Sequence, residues 1–115
     1  MMLEKNLNES KKFINLGVVL NESKEVLMIR RKQPEKGKDE STLTWAFPGG
    51  KQRFSESRED CLKREVLAET GYAIESIRQI DLNFHPQFPV MIVYHLCKLS
   101  SSEPVAEPSE PHEVA

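Results

Sequence analysis

Short apolar runs separated by polar breaks dominate this chain. Phe13 to Leu20 (FINLGVVL) has the length and character of a strand, and Glu25 to Arg30 (EVLMIR) is a second such run. The polar stretch Asn21-Glu22-Ser23-Lys24 between them suits a hairpin connection. Pro34 to Ser41 is charged and contains Gly37, which predicts a mobile loop. Thr44 to Phe47 (TWAF) reads as a short strand that Pro48-Gly49-Gly50 ends abruptly. The period then changes. Ser57 is a good N-cap, and Asp60, three residues on, can accept hydrogen bonds from first-turn N–H groups. Cys61, Leu62, Val66 and Leu67 supply apolar positions at helical spacing, and Gly71 can take the left-handed turn that ends a helix. This predicts a helix of roughly 13 residues, about 20 Å long at ~1.5 Å per residue. Ala73 to Leu82 and Val90 to Leu99 complete the strand set, joined by Phe84 to Pro89.

Strands followed by a helix and more strands predict a mixed α/β domain. The expected organisation is a flexible polar arm at 1–11, a domain over 12–99, and a polar, acidic, Pro-rich segment at 100–115. A length of 115 residues suits one domain, and a hydrophobic content of 38% supports a single modest core. A formal net charge of -2 offers no broad basic field for a nucleic-acid polymer or a membrane surface. Cys61 and Cys97 lie far apart and form no CxxC pair, which argues against a disulfide framework or a zinc site. Met1 to Lys12 lacks the apolar core of a signal peptide, and no apolar run approaches the roughly 20 residues needed to span a bilayer. The expectation is a soluble cytoplasmic protein.

Gly50 to Tyr72 (GKQRFSESREDCLKREVLAETGY) carries the candidate chemistry. Glu65 and Glu69 are four residues apart, so both project from one helical face about a turn from each other. Like charges at that spacing repel by a few tenths of a kcal/mol. Glu56 precedes the helix and could approach the same face, and Arg64 could hold it through a bidentate ion pair. Converging carboxylates favour a hard cation such as magnesium, which keeps several waters and shares its shell with phosphate oxygens. Taken alone, a Glu pair four apart usually only decorates a solvated face.

The whole segment resembles the box of the Nudix family. That pattern is a Gly, five residues, a Glu, seven residues, then Arg-Glu-apolar-x-Glu-Glu-x-Gly-apolar. Gly50, Glu56, Arg64, Glu65, Val66, Glu69, Gly71 and Tyr72 fall at the required spacings, and Trp45 to Lys51 is similar to the run that leads into the box. The resemblance implies a Nudix-type α/β/α sandwich with a mixed β-sheet. It also implies hydrolysis of a nucleoside diphosphate derivative with a divalent cation, Mg2+ or alternatively Mn2+. Glu65 and Glu69 would then be metal ligands, with the Gly50 carbonyl a further one. Glu56 would be a ligand or a supporting carboxylate oriented by Arg64. The chain departs from the pattern at Ala68, which replaces the first Glu of the usual pair and puts a multi-metal arrangement in doubt. Arg53 and Ser55 stand where an acidic residue and Gly are common.

General-base candidates are Glu56, Glu110 and Glu113, ahead of His85, His95 and His112. His95 alternates with Val93 and Cys97 on one strand face, where a hydrogen-bonded structural histidine is the expected role. Arg30, Arg31 and Lys51, with Lys32, Lys36 and Lys38 nearby, could contact phosphates, and Trp45 or Phe47 could stack on a base. Family members usually add a further strand and a helix after the strand at Val90–Leu99. The chain is therefore expected to lack those final elements and to leave an open edge that invites a homodimer. The leading activity is nucleoside triphosphate pyrophosphohydrolysis. ADP-ribose or dinucleotide hydrolysis is the alternative, and a non-catalytic nucleotide-binding module is the reading from another class.

Overall fold

The computed structural model describes residues 12–36, 42–86, 88–109 and 113–114, with backbone alone at 31–36, 42–44 and 113–114. Its strands are β1 (Phe13–Leu20), β2 (Ile29–Lys36), β3 (Thr42–Ala46), β4 (Gly49–Lys51), β5 (Ile74–Phe84), β6 (Met91–Leu99) and β7 (Glu113–Val114). One helix, α1 (Arg58–Thr70), lies between β4 and β5 among the described residues. Four strands form a mixed sheet in the order β4-β1-β6-β5, in which β1 runs parallel to β6 and antiparallel to β4. The other three form an antiparallel sheet in the order β3-β2-β7.

Alternation explains the core. Asn15, Gly17 and Val19 of β1 and Val93, His95 and Cys97 of β6 are buried, and the residues between them are half-buried. Leu62 and Val66 of α1 pack onto this face with Val19, Ile74 and Cys97. The helix begins where its caps dictate. Ser57 accepts the Asp60 N–H at 3.0 Å, and Gly71 turns left-handed (φ 78°) while its N–H bonds the Leu67 carbonyl at 2.9 Å. Glu59 and Asp60 in the first turn suit the positive end of the helix dipole.

Expectations for several segments change. The second apolar run does not continue a hairpin with β1. After one bridge, Leu20 to Val26, the chain diverges, and the strand it feeds starts at Ile29 in the other sheet. That strand continues to Lys36 and so absorbs the start of the predicted loop, whose residues 37–41 lie outside the described set. Pro48-Gly49-Gly50 does not end the sheet structure, because Gly49–Lys51 is itself β4 and pairs with β1. The acidic tail is also more engaged than its composition suggests. Val105 and Ala106 donate backbone N–H groups to the Gly71 carbonyl, and Glu113–Val114 pairs with Ile29–Arg30. The predicted arm at 1–11 lies outside the described residues.

Strand β5 forms one edge of the mixed sheet and exposes Ile77, Ile80, Leu82 and Phe84. No helix among the described residues is long and apolar enough to cross a membrane.

Candidate functional site

The site is built where β4 meets α1. Gly49 has a φ of 146°, and a Cβ there would lie 2.0 Å from the Asn15 carbonyl oxygen of β1. This close approach seats β4 against β1. At Gly50 the missing side chain serves a different neighbour. A Cβ would lie 2.6 Å from Glu65 Cδ and 2.7 Å from Oε2, so the Glu65 carboxylate occupies the space that any other residue would fill. Glu69 reaches back to the same strand, and its Oε1 accepts the Gly49 N–H at 2.8 Å.

Arg64 organises the remaining charge. Its Nε donates to Glu56 Oε2 at 2.7 Å and its Nη2 to Glu56 Oε1 at 3.1 Å, which is a bidentate fork. Its Nη1 donates to Glu65 Oε1 at 2.6 Å, and Nη2 also donates to the Lys51 carbonyl at 3.2 Å. Glu56 Oε1 accepts a further bond from the Arg53 N–H at 2.8 Å. The Arg64 guanidinium therefore holds the Glu56 carboxyl below its ordinary range, against the opposing effect of burial. The same carboxylate, in turn, raises the Arg64 pKa. Between Arg53 and Glu56 the chain turns through Ser55 at φ 61°, a conformation that glycine adopts at less cost.

A cleft of about 290 Å3 opens beside these groups. Gly49, Gly50, Lys51 and Glu69 line it on the box side. Ile14 and Leu16 of β1, Ile92 of β6, and Ile29, Ala46 and Phe47 supply apolar wall. His85 lines it too, with Nδ1 accepting the Phe88 N–H at 3.2 Å. Two other hollows, of about 330 and 480 Å3, share Asn21, Tyr72 and Leu99 and contain none of the box carboxylates.

A known family matches nearly the whole chain: the model of the NUDIX domain covers residues 12–115. The chain belongs to the Nudix family. A Bacillus subtilis (strain 168) protein named as a candidate 8-oxo-dGTP diphosphatase is 35% identical over 71 residues, which is 62% of this chain and 42% of that protein. This chain thus matches under half the length of that curated relative. Among solved structures, an Enterococcus faecalis MutT/nudix family protein is 30% identical with a TM-score of 0.62, covering 90% of this chain and 42% of that one. A Streptococcus suis ADP-ribose pyrophosphatase has a TM-score of 0.64 at 23% identity, covering 90% and 69%, and at that identity it attests the fold alone.

The structure brings Glu56, Arg64 and Glu65 into one network and places Glu69 on the cleft, bonded to Gly49. The Gly50 carbonyl accepts the Cys61 thiol at 3.5 Å. Burial pushes that thiol up to about 11 and the Cys97 thiol to about 12, so neither is a thiolate near neutral pH. Among the described residues no group of three or more His, Cys, Asp or Glu side chains is arranged to hold a metal ion. Both Glu56 oxygens accept hydrogen bonds, from Arg64 and from the Arg53 N–H. Glu65, Glu69 and the Gly50 carbonyl are hard oxygen donors beside β4. That set fits magnesium, which commonly uses one or two carboxylates plus water and phosphate.

Lys51 lines the cleft as an exposed residue of β4. Trp45 is exposed and lies outside the cleft lining, whereas Phe47 is half-buried within it and meets Tyr94 edge-on at 6.2 Å. Arg30 is exposed on β2, opposite Trp45 in the strand register. The side chains of Arg31, Lys32, Lys36 and Glu113, and all of Lys38, Glu110 and His112, lie outside the described residues. His95 is fully buried and hydrogen-bonded, the structural role expected of it. Sequence reading passed over Ile14, Leu16 and Ile92 as wall residues. Their signal was the half-buried phase of β1 and β6, which faces away from α1.

Proposed function

We propose that this chain is a divalent-cation-dependent Nudix hydrolase whose substrate is a nucleoside triphosphate, hydrolysed to a monophosphate and pyrophosphate. The observation that carries this reading is the shared cleft: Glu69 and the Gly49–Lys51 strand stand at one side and an apolar wall with Phe47 at the other. A nucleotide has the same division, with a charged diphosphate and a flat, less polar base. The name of the Bacillus relative points toward an oxidised purine nucleotide within that class.

Glu65 and Glu69, with the Gly50 carbonyl, would hold the cation. When bound, magnesium neutralises phosphate charge, stabilises the charge that develops at phosphorus and acidifies a water for attack near neutral pH. Arg64 keeps Glu65 in place from one side, and the bond from Gly49 N–H fixes Glu69 from the other. Glu56 acts through Arg64, since both its oxygens are already engaged. Lys51 offers a positive charge at the cleft for a phosphate oxygen.

The test is release of pyrophosphate from 8-oxo-dGTP and unmodified nucleoside triphosphates, and of AMP from ADP-ribose, with magnesium or manganese. Glu69→Gln should lower kcat by roughly 10²–10³-fold on whichever substrate is active. Turnover confined to ADP-ribose would move the substrate class. Nucleotide binding without turnover on the whole panel would replace the enzyme with a binding module.

A further inference from the structure

Four buried or half-buried polar side chains run in a line beneath the box, and none of them belongs to its charge network. Ser76 Oγ lies 3.1 Å from His95 Nδ1, and His95 Nε2 lies 2.9 Å from Asn15 Oδ1. Asn15 Nδ2 donates to Gln52 Oε1 at 3.0 Å, and Gln52 Nε2 donates to the Glu56 carbonyl at 2.9 Å. Asn15 and His95 are completely buried and Gln52 nearly so, at 6% exposure. The line ties β5, β6, β1 and the loop before α1 together.

Its direction is fixed from one end. The Glu56 carbonyl can only accept, so the Gln52 amide must present nitrogen to it and oxygen to Asn15. Asn15 then presents nitrogen to Gln52 and oxygen to His95, which obliges His95 Nε2 to carry the proton. His95 Nδ1 is left to accept from the Ser76 hydroxyl. Every bond is satisfied by a single neutral tautomer, and burial favours the neutral ring. In such a line each member has one orientation, because reversing any amide would strand a buried donor against a donor.

We propose that His95 is a positioning residue for the box: through Asn15 and Gln52 it fixes the loop that carries Glu56, and so the fork that aligns Arg64 and Glu65. The kinetic consequence rests on the hydrolase reading above, but the mechanical one does not. The loop end of the line lies next to Glu56 Oε1 and its bond from the Arg53 N–H, while the Glu56 N–H bonds back to the Arg53 carbonyl at 3.2 Å. Loss of the Gln52 tether should therefore loosen these two amides before any other part of the domain.

Backbone hydrogen exchange at Arg53 and Glu56 reads this directly, with the Gly71 amide at the helix end as the control for global stability. His95→Leu removes the Nε2–H donor, whereas His95→Gln can return an N–H to Asn15. Exchange at Arg53 and Glu56 should accelerate about tenfold or more in His95→Leu, and His95→Gln should stay within about threefold of the parent. Gln52→Met cuts the same line at its loop end and should match His95→Leu with Gly71 unchanged. This second variant decides the matter if His95→Leu loosens the whole core. On an active substrate, His95→Leu and Gln52→Met should lower kcat about tenfold with KM within about twofold, and His95→Gln should recover it. Unaltered exchange at Arg53 and Glu56 in Gln52→Met would overturn the proposal. Accelerated exchange in Gln52→Met and His95→Leu, with a parent protein that hydrolyses nothing, would uphold the tether and remove the hydrolase reading instead.

Discussion

The segment from Gly49 to Gly71 assembles its polar groups within one short stretch of chain, whereas the opposite wall of the cleft gathers Ile14, Ile29 and Ile92 from separate strands and Phe47 from the link between β3 and β4. The two sides differ in what defines them. On the box side a spacing, two caps and two glycines suffice, because a helix converts sequence distance into direction. The wall residues are ordinary apolar side chains whose only common property is the cleft that collects them. Chemistry should therefore be sensitive to small changes in the box, and substrate choice to changes in the wall.

The largest expected effect within that contrast after Glu69→Gln comes from Arg64. Lysine at this position keeps the charge but cannot reproduce the two-pronged bond to Glu56 together with the bond to Glu65. Arg64→Lys should lower kcat by about 10–100-fold while KM changes little. An equal rise in KM with kcat intact would mean that Arg64 binds substrate, and the division between the two sides would fail.

The wall predicts the opposite pattern. Phe47→Leu keeps bulk but removes the aromatic face, and should raise KM roughly five- to tenfold with kcat nearly unchanged, the scale of a lost base contact. Trp45→Leu should change KM by less than about twofold, since Trp45 is exposed outside the cleft lining. Steady-state kinetics on one active substrate tests both. A larger effect at Trp45 would mean that the base lies along β3 and not within the cleft.

What was legible in the sequence follows the same division. The helix was readable to its last residues because Ser57 and Gly71 mark its ends by local hydrogen bonding. Glu56 and Arg64 were readable as partners because eight residues across a cap and along a helix still place side chains side by side, whereas the added Arg64–Glu65 bond was not. The assignment of β1 and β2 to different sheets was not readable, since the Asn21–Glu25 turn begins as a hairpin would and only tertiary pairing parts the strands. The tail's contacts were not readable for a similar reason: its Ser, Pro and Glu content says nothing of backbone N–H groups that find the Gly71 carbonyl. Asn15 did carry a signal that went unread. A polar residue at the inward phase of an apolar strand needs a buried partner, and His95 occupies the inward phase of β6 for the same reason.

The smallest expected effect lies in the acid limb of stability, and it belongs to Glu56. Its carboxyl titrates below the ordinary value of 4.5 in the folded protein, chiefly because Arg64 bonds the ionised form. A depressed folded pKa means that this stabilisation is complete above the unfolded value and is lost as pH falls through the folded one. Replacing Glu56 by Gln removes the titration while keeping most of the shape. The parent should exceed Glu56→Gln in stability near pH 7 by on the order of 1 kcal/mol, given the partial exposure of the pair. The gap should hold down to about pH 4.5 and close below it, as protonated Glu56 comes to resemble the amide. Urea titrations of both proteins from pH 7 to pH 3 measure the difference directly, and cancel the other carboxylates common to both. A gap that persists unchanged at pH 3 would show that Arg64 gains nothing from the Glu56 charge. The box would then be held by shape and backbone contacts, in the same way as the wall it faces.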